Sequence, residues 1–521
     1  MCHRAAVALG LALSASIASA ETLTIGVAAP PTSLDPHYHN TSPNTSVSIH
    51  IFDRLVDRDA RARAVPGLAM GWQAVSETIW ELKLRPGVTW HDGRGFSAED
   101  VAFSIARVPT VPNSPGLFAG YVRAITRVEI VDPLTVRLHT ARPHPLMPLD
   151  LGAIQIVSRH VGEGAGTEDY NRGTAAIGTG PYRVTGYRPG ERVEMARNDA
   201  YWRGAEPWTR VNYRVIASDP ARTAALMAGD VDLIDQVPTA DLPRLQREPR
   251  IRISQVQGLR VLYLQADFSR SGEVPGVTDE AGRPLARNPF LDRRVREALS
   301  LAIDRRAIAE RVMEGTAEAT GQWLPEGAFG HDPGISVPAP DPARARALLA
   351  EAGYPQGFSL TLHTPNERYP NDARAAQAVA QMWTRIGLRT RVEALPWTTF
   401  SARRARQEFG IFLGGWGSTT GEASSMLINV LGTNDRARRI GSSNHVRYSN
   451  PALDDLTRRA TETIDDERRE DLLRQAVRLA VEDGALLPLV QLTNQWAMRR
   501  GLEHEPRMDE RTLATGVRPA R

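Results

Sequence analysis

Short apolar runs alternate with amphipathic segments along most of the chain. The segments at 22–27 (TLTIGV), 80–84, 231–234, 358–363, 389–394 and 409–413 are predicted to be strands. The segments at 220–228, 292–313 and 372–386 have helical periodicity, with Val295, Leu299, Ala302 and Ile303 on one face of the second. Strands and helices that alternate in this way predict α/β lobes with mixed sheets and a few strands crossing between them.

Local sequence signals fix several ends of these elements. Ser97 followed by Asp100 three residues later is typical of a helix start. The Asp132-Pro133 pair predicts a hairpin turn within residues 128–138, and Gly229 and Gly387 are placed to end helices.

The first twenty residues have the pattern of a secretory signal. Arg4 precedes a run of apolar and small residues at 5–17, and Ala18-Ser19-Ala20 predicts cleavage before Glu21. A buried helix and a membrane anchor are the alternatives, but an anchor needs about 20 predominantly apolar residues and this run is shorter. We therefore expect a secreted, soluble protein in a bacterial periplasm.

Composition narrows the function further. A chain of 521 residues is expected to form more than one lobe, because single cores stop growing near about 250–300 residues. The 63 basic and 60 acidic residues nearly balance and no block of basic residues occurs, so no nucleic-acid partner is expected. Cys2, the sole cysteine, lies in the segment to be removed, which excludes a disulfide, a thiolate zinc site and a cysteine nucleophile.

Catalytic and metal motifs are missing from the sequence. It contains no G-x-S-x-G elbow, no H-E-x-x-H and no Walker loop, and the glycine-rich segment 161–166 lacks the Lys-Ser/Thr that grips phosphate. His37 and His39 are possible metal ligands, but no third ligand follows them, and we interpret them as loop histidines in a polar segment. No enzyme activity, metal or cofactor is expected.

A group of motifs in one order carries a family resemblance. They are residues 80–93 (WELKLRPGVTWHDG), 96–101 (FSAEDV), 178–182 (GTGPY), 197–198 with 201–202 (RN, YW), 295–299 with 302–305 (VREAL, AIDR), 34–36 (LDP) and 415–416 (GW). Together they resemble the family 5 extracellular solute-binding proteins, which include dipeptide-, oligopeptide-, glutathione- and nickel-binding receptors of ABC importers. The resemblance covers nearly the whole chain after residue 20.

This resemblance implies an α/β type II periplasmic-binding fold, with two lobes and an extra inserted domain. After the signal peptide (1–20), domain I would comprise residues 21–54, 178–268 and 488–521, domain II residues 55–177 and domain III residues 269–487. The protein would act as a monomer that closes around a solute and delivers it to an inner-membrane permease. A peptide-binding periplasmic chaperone is the main alternative, and a periplasmic hydrolase is a further one.

By the same resemblance, the ligand site lies in the cleft between domains I and III. Its predicted residues are Tyr38, Asn366, Arg368, Tyr369, Trp397, Trp416, Gly417, Ser418, Thr419, Thr420 and Glu422. Tyr369, Trp397 and Trp416 would supply flat walls and Arg368 a fork for a carboxylate. Ordinary lobe packing for the tryptophans and a solvated surface role for Arg368 remain open.

The loop after Gly415-Trp416 departs from the peptide-binding pattern. Peptide receptors of the family carry an aspartate here that holds the ligand ammonium, whereas this chain has hydroxyls followed by Glu422. We therefore expect a peptide-like, glutathione-like or other amino-carboxylate solute whose ammonium is held by Glu422, or a solute without an ammonium. The alternative is that Glu422 caps a helix that begins near Ala423.

Overall fold

The computed structural model describes residues 22–115, 118–366, 368–418 and 420–520. The predicted signal segment lies outside these residues. Within the described ranges, no helix is both long enough and apolar enough to cross a membrane.

Twenty strands occur in the described residues. They are β1 (Thr22–Val27), β2 (Val56–Arg58), β3 (Ala64–Pro66), β4 (Ala69–Ser76), β5 (Ile79–Leu84), β6 (Ile125–Asp132), β7 (Thr135–Thr140), β8 (Tyr182–Arg188), β9 (Arg192–Arg197), β10 (Arg210–Val215), β11 (Leu233–Ile234), β12 (Ile251–Ala266), β13 (Val277–Thr278), β14 (Ala317–Ala319), β15 (Ser359–Pro365), β16 (Arg389–Leu395), β17 (Ile411–Gly417), β18 (Leu487–Arg499), β19 (Leu502–His504) and β20 (Val517–Pro519).

The α-helices of the described chain number sixteen. They are α1 (Ser42–Ile51), α2 (Ala98–Arg107), α3 (Ala119–Val122), α4 (Met147–Leu151), α5 (Arg159–Gly162), α6 (Thr167–Asn171), α7 (Asp219–Ala228), α8 (Leu242–Arg247), α9 (Arg293–Leu301), α10 (Arg305–Ala307), α11 (Pro342–Glu351), α12 (Asp372–Thr384), α13 (Trp397–Ala405), α14 (Ser424–Met426), α15 (Pro451–Glu462) and α16 (Asp466–Glu482).

One large mixed sheet joins two lobes. Its strands run in the order β13-β15-β17-β12-β18-β11-β1-β10-β9-β8, with β14 beside β18 and β16 beside β15. We call the part built on β1 and β8–β11 with α1 and residues 500–520 lobe 1, and the part built on β13–β17 with α9–α16 lobe 2. The long antiparallel pair β12 and β18 passes from one lobe into the other, and its register is irregular between Gln257 and Val261. The two lobes are therefore joined by crossing strands, as the sequence predicted.

Separate apolar cores accompany this division. Lobe 1 packs around residues such as Ile25, Ile51 and Tyr213, while lobe 2 has one core on each side of its sheet. A further core lies between the antiparallel sheet β4-β5-β7-β6 and α2, with Trp90 and Val101 among its members. This third body is formed by residues 55–156 and is attached to lobe 1.

Most predicted elements are confirmed. β1 has the predicted ends, the backbone N–H of Ser97 donates to Asp100 Oδ2 at the start of α2, and β6 and β7 form the predicted hairpin. Gly229 ends α7 with φ +84°, a left-handed conformation that favours glycine.

One interpretation of the sequence is wrong. Residues 292–313 do not form one helix: α9 ends at Leu301 and α10 begins after Asp304, whose carboxylate accepts a hydrogen bond from the N–H of Ala307. Asp304 caps the start of the second helix, so the chain forms two helices although the apolar positions continue with helical spacing. His37 lies in a turn, as predicted, but the sequence did not indicate that its side chain is fully buried, with Nε2 bonded to the carbonyl of Gln155.

Candidate functional site

A cleft of about 820 Å³ lies between the two lobes. Lobe 1 contributes the loop after β1 and the first turn of α1, including Asn40, Ser42 and Thr45. The facing wall from lobe 2 consists of Arg368, Tyr369, Pro370, Gly417 and Ser418. A cleft of this size, with mixed polar and apolar walls, suits a small solute.

The floor of the cleft connects both walls. Leu259, on crossing strand β12, donates its N–H to the carbonyl of Met508 (3.0 Å) on the lobe 1 side. Its own carbonyl accepts from the N–H of Ser418 (3.2 Å) on the lobe 2 side. The same peptide segment is therefore bonded to the predicted ligand loop and to the C-terminal segment.

The C-terminal segment that lines the cleft is held by charge pairs. Asp509 lies within 3.0 Å of both Arg507 and Arg511, and Arg511 also donates to Thr45 Oγ1 on α1. Burial alone raises the pKa of Asp509, but Arg511 and Arg507 outweigh it and hold this pKa well below its usual range. The segment is thus fixed to lobe 1.

A second cleft carboxylate, Asp235, has a different environment. It is half-buried, and burial raises its pKa to about 6 although the N–H of Ala28 donates to Oδ1. Its position beside the end of β1 makes it a support for the loop that follows.

Four predicted site residues line the cleft: Arg368, Tyr369, Gly417 and Ser418. The guanidinium of Arg368 lies 5.4 Å from the Tyr369 ring and 5.3 Å from the Trp397 ring. Its side chain makes no hydrogen bond or ion pair with any described residue. The Tyr369 hydroxyl donates to the carbonyl of Gly415 (3.2 Å), which orients its ring along the wall.

The two predicted tryptophans have packing contacts. Trp397 is half-buried, stacks on Phe400 (5.9 Å between centroids) and meets Tyr369 edge-on. Trp416 is also half-buried, and its Nε1 donates to Ser425 Oγ (3.2 Å). Neither ring is among the side chains that line the cleft directly.

Three further predicted residues are not among those that line the cleft. Asn366 is exposed at the end of β15, Tyr38 is half-buried and its carbonyl accepts from Ser114 Oγ, and Thr420 is buried. Thr419 lies outside the described residues.

Glu422 has an internal partner. Its carboxylate is buried, Oε2 accepts from both terminal nitrogens of Arg469 at 2.9 Å, and Oε1 accepts from Ser424 Oγ. The short helix α14 that follows has no side-chain cap. In this structure Glu422 therefore neither faces the cleft nor caps a helix.

Several cleft residues were not foreseen from the sequence. Arg260 on β12 and Glu510 in the C-terminal segment form an ion pair (3.0 Å) at the cleft although 250 positions separate them. Arg404 on α13 is not among the residues that line the cleft, but it lies 5.5 Å from the Trp397 ring and forms no ion pair with any described residue. No local sequence signal identifies such residues, because folding alone brings them together.

No group of three or more His, Cys, Asp or Glu side chains in the described parts of the chain is arranged to hold a metal ion.

Comparison with known proteins places the chain in a family. The family model "Bacterial extracellular solute-binding proteins, family 5 Middle" matches residues 63–438. Heme-binding protein A of Haemophilus influenzae is 28% identical over 464 residues, covering 84% of this chain and 80% of the relative. The glutathione-binding protein GsiB of Escherichia coli K12 is 27% identical over 505 residues, covering 94% and 93%.

Solved structures share the fold. HbpA2 from Haemophilus parasuis superposes with a TM-score of 0.83 at 23% identity, covering 96% of this chain and 100% of that one. The unliganded open form of MppA, a periplasmic murein tripeptide binding protein, gives a TM-score of 0.81 at 24% identity, covering 96% and 98%. The crossing strands, the inter-lobe cleft and the family match lead to one conclusion: the chain belongs to the bacterial extracellular solute-binding proteins of family 5, the substrate receptors of ABC importers.

Proposed function

We propose that this receptor binds a small solute carrying a carboxylate in the inter-lobe cleft and delivers it to an inner-membrane permease. Names of relatives support this class, since they include dipeptide-binding and glutathione-binding proteins. The receptor works as a periplasmic monomer after removal of residues 1–20, with domains I, II and III bounded as the sequence predicts.

One observation carries the carboxylate assignment. Arg368 and Arg404 approach the Trp397 ring to 5.3 and 5.5 Å, and neither guanidinium has a hydrogen bond or ion pair to a described residue. The Nε of Arg404 is enclosed without a partner. Arg368 is exposed on the cleft wall, so its guanidinium is free to bind an anionic ligand group, and the enclosed Nε of Arg404 beside the same ring is a polar group that would normally have a partner.

The ring between the two cations has a role of its own. A guanidinium over an aromatic face gains cation–π stabilisation, which holds Arg368 and Arg404 in place before a ligand arrives. A planar carboxylate then meets preorganised donors, which lowers the entropic cost of binding.

Calorimetric titration of the ligand-stripped protein tests the proposal. The titrants are glutathione, the dipeptide Ala-Leu and Ala-Leu amide, which lacks the carboxylate. We expect Arg368→Ala and Arg404→Ala to weaken binding of the free carboxylates by about tenfold or more. Arg283→Ala is the matched control, because Arg283 is 79% exposed and pairs with Asp279. Equal binding of Ala-Leu and Ala-Leu amide would contradict the carboxylate assignment.

A further inference from the structure

Glu510 presents a half-free carboxylate to the cleft. Its side chain is 42% exposed, and Oε1 accepts from Arg260 Nη2 (3.0 Å) and from Ser42 Oγ (3.4 Å). Oε2 has no hydrogen bond or ion pair to any described residue. One oxygen is therefore held in place while the other is available.

The backbone at Glu510 is strained. Its φ is +58°, a left-handed conformation that is uncommon for residues other than glycine, asparagine and aspartate. The flanking pairs between Asp509 and Arg507 and Arg511 hold this conformation against its cost. Such strain is concentrated at ligand clamps, where it aims a side chain.

Other cleft carboxylates are less available to a ligand. Asp509 is 8% exposed and is enclosed by two arginines, and Asp235 is half-buried and accepts from the backbone of Ala28. Asp219 pairs with the buried Arg222 at 2.7 Å. Glu510 alone of these four adjoins the ligand loop of lobe 2.

Arg260 links Glu510 to that loop. Arg260 on β12 lies opposite Gly417 on β17. A Cβ added to Gly417 would lie only 3.1 Å from Nη2 of Arg260. A side chain at 417 would therefore push the end of the Arg260 side chain aside by a few tenths of an ångström. Burial lowers the pKa of Arg260, but the nearby Glu510 and, to a smaller extent, Tyr369 raise this pKa, and the net effect is an increase.

The cleft lining therefore carries groups of both charges. Glu510 and Arg260 form an ion pair there, and Arg368, whose side chain has no ion pair with a described residue, lines the same cleft beside Tyr369. Glu510 offers a carboxylate oxygen, and Arg368 offers a cation.

We infer that Glu510 binds the cationic group of the solute, in place of the acid that the loop after Trp416 lacks. This inference rests on the carboxylate proposal above and makes the solute an amino-carboxylate, with its ammonium at Oε2 of Glu510 and its carboxylate near Arg368. The ammonium gains a charge-assisted hydrogen bond, while Arg260 retains Oε1. Because Glu422 is paired with Arg469, it is not needed for this role.

Calorimetry with matched ligands tests the inference. The probes are glutathione and Ala-Leu, each as the free amine and as the N-acetyl derivative, titrated into ligand-stripped wild-type protein, Glu510→Gln and the control Glu503→Gln. Glu503 forms a comparable exposed pair with Arg252 (4.0 Å) outside the cleft. Thermal unfolding of each variant establishes that it is folded.

We expect the wild type to prefer a free amine over its N-acetyl form by about tenfold or more, a preference that Glu510→Gln abolishes and Glu503→Gln retains. If the preference persists in Glu510→Gln, or if the N-acetyl forms bind equally well, the role of Glu510 is wrong while the carboxylate proposal stands. If none of these carboxylates binds, the carboxylate proposal fails and the role of Glu510 fails with it.

Discussion

Arg469 donates both of its terminal nitrogens to one oxygen of Glu422, each at 2.9 Å, with both side chains almost fully buried. The guanidinium also lies 4.3 Å from the Phe329 ring. This pair connects helix α16 to the segment after β17 and so supports the ligand loop from behind. Glu422, the acid that the sequence predicted to hold a ligand ammonium, is thereby paired inside the fold.

Removing Arg469 is expected to destabilise the protein strongly. Arg469→Met leaves the Glu422 carboxylate buried without its cation, which typically costs about 3–5 kcal/mol in the free energy of unfolding. Urea denaturation measures this loss. Arg458→Ala is the comparison, since Arg458 is 49% exposed and its ion pairs with Asp455 and Glu462 are screened by solvent and contribute little to stability. If the two substitutions lower the free energy of unfolding equally, the buried pair between Arg469 and Glu422 does not stabilise the fold.

Acid is expected to weaken the fold through buried His50. Its Nδ1–H donates to the carbonyl of Ser46 (2.7 Å) and its Nε2 accepts from the N–H of Ala514 (2.9 Å), so the ring is neutral. Burial lowers the pKa of His50 to about 4, against 6.5 in the unfolded chain. Between these values the unfolded state binds more protons, so stability falls as pH falls from 6.5 towards 4, by roughly 3 kcal/mol for this residue.

The measurement for His50 is the free energy of unfolding between pH 7 and pH 4. Other buried histidines whose pKa is lowered to about 4, such as His91 and His504, add to the wild-type slope. His50→Gln should therefore flatten the slope without abolishing it. An unchanged slope in this variant would contradict a neutral buried His50.

Gly258 on crossing strand β12 is expected to resist substitution. A Cβ at this position would lie 2.6 Å from Oδ1 of Asn494, whose Nδ2 donates to the carbonyls of Arg507 and Met508. Moving Asn494 aside breaks these bonds, so Gly258→Ala should cost about 1–3 kcal/mol in stability. Gly71→Ala is the control, because no atom lies within 4 Å of its Cβ position. If Gly258→Ala is as stable as the wild type, strand β12 accommodates a methyl group at this position and the prediction is wrong.

Asp304 is expected to stabilise the break between α9 and α10. Asp304→Ala removes the cap on the N–H of Ala307 and should cost about 1 kcal/mol, whereas Asp304→Asn should retain most of the stability. Thermal denaturation distinguishes the two. If the alanine variant is as stable as the wild type, the interruption of the helix does not depend on this cap.

Elements with strong local signals could be predicted from the sequence. β1 follows from the β-rich run TLTIGV, and the end of α7 follows from Gly229, which adopts the left-handed conformation. The single helix expected over 292–313 fails because periodicity does not show that Asp304 restarts the backbone hydrogen bonding. Local sequence patterns therefore predict that a helix or strand forms, but they do not predict where a side-chain contact interrupts it.

The site was only partly predictable. Arg368 and Tyr369 lie on the cleft as the resemblance implied, because one loop presents both. The partner of Glu422 is 47 positions away, and that of Glu510 is 250 positions away. Pairings over such distances arise from the fold, and the sequence alone assigns no partner to either acid.

Lobe closure tests the central claim most directly. Small-angle scattering is measured on the ligand-stripped protein alone and then with saturating glutathione or Ala-Leu, whichever binds more tightly. Contacts that exist only in the closed form shift the population towards it, so the radius of gyration should fall on saturation. With Arg368→Ala, the same fall should require about tenfold more ligand or greater. An unchanged radius of gyration in saturated wild-type protein would contradict a receptor that closes its cleft around the solute.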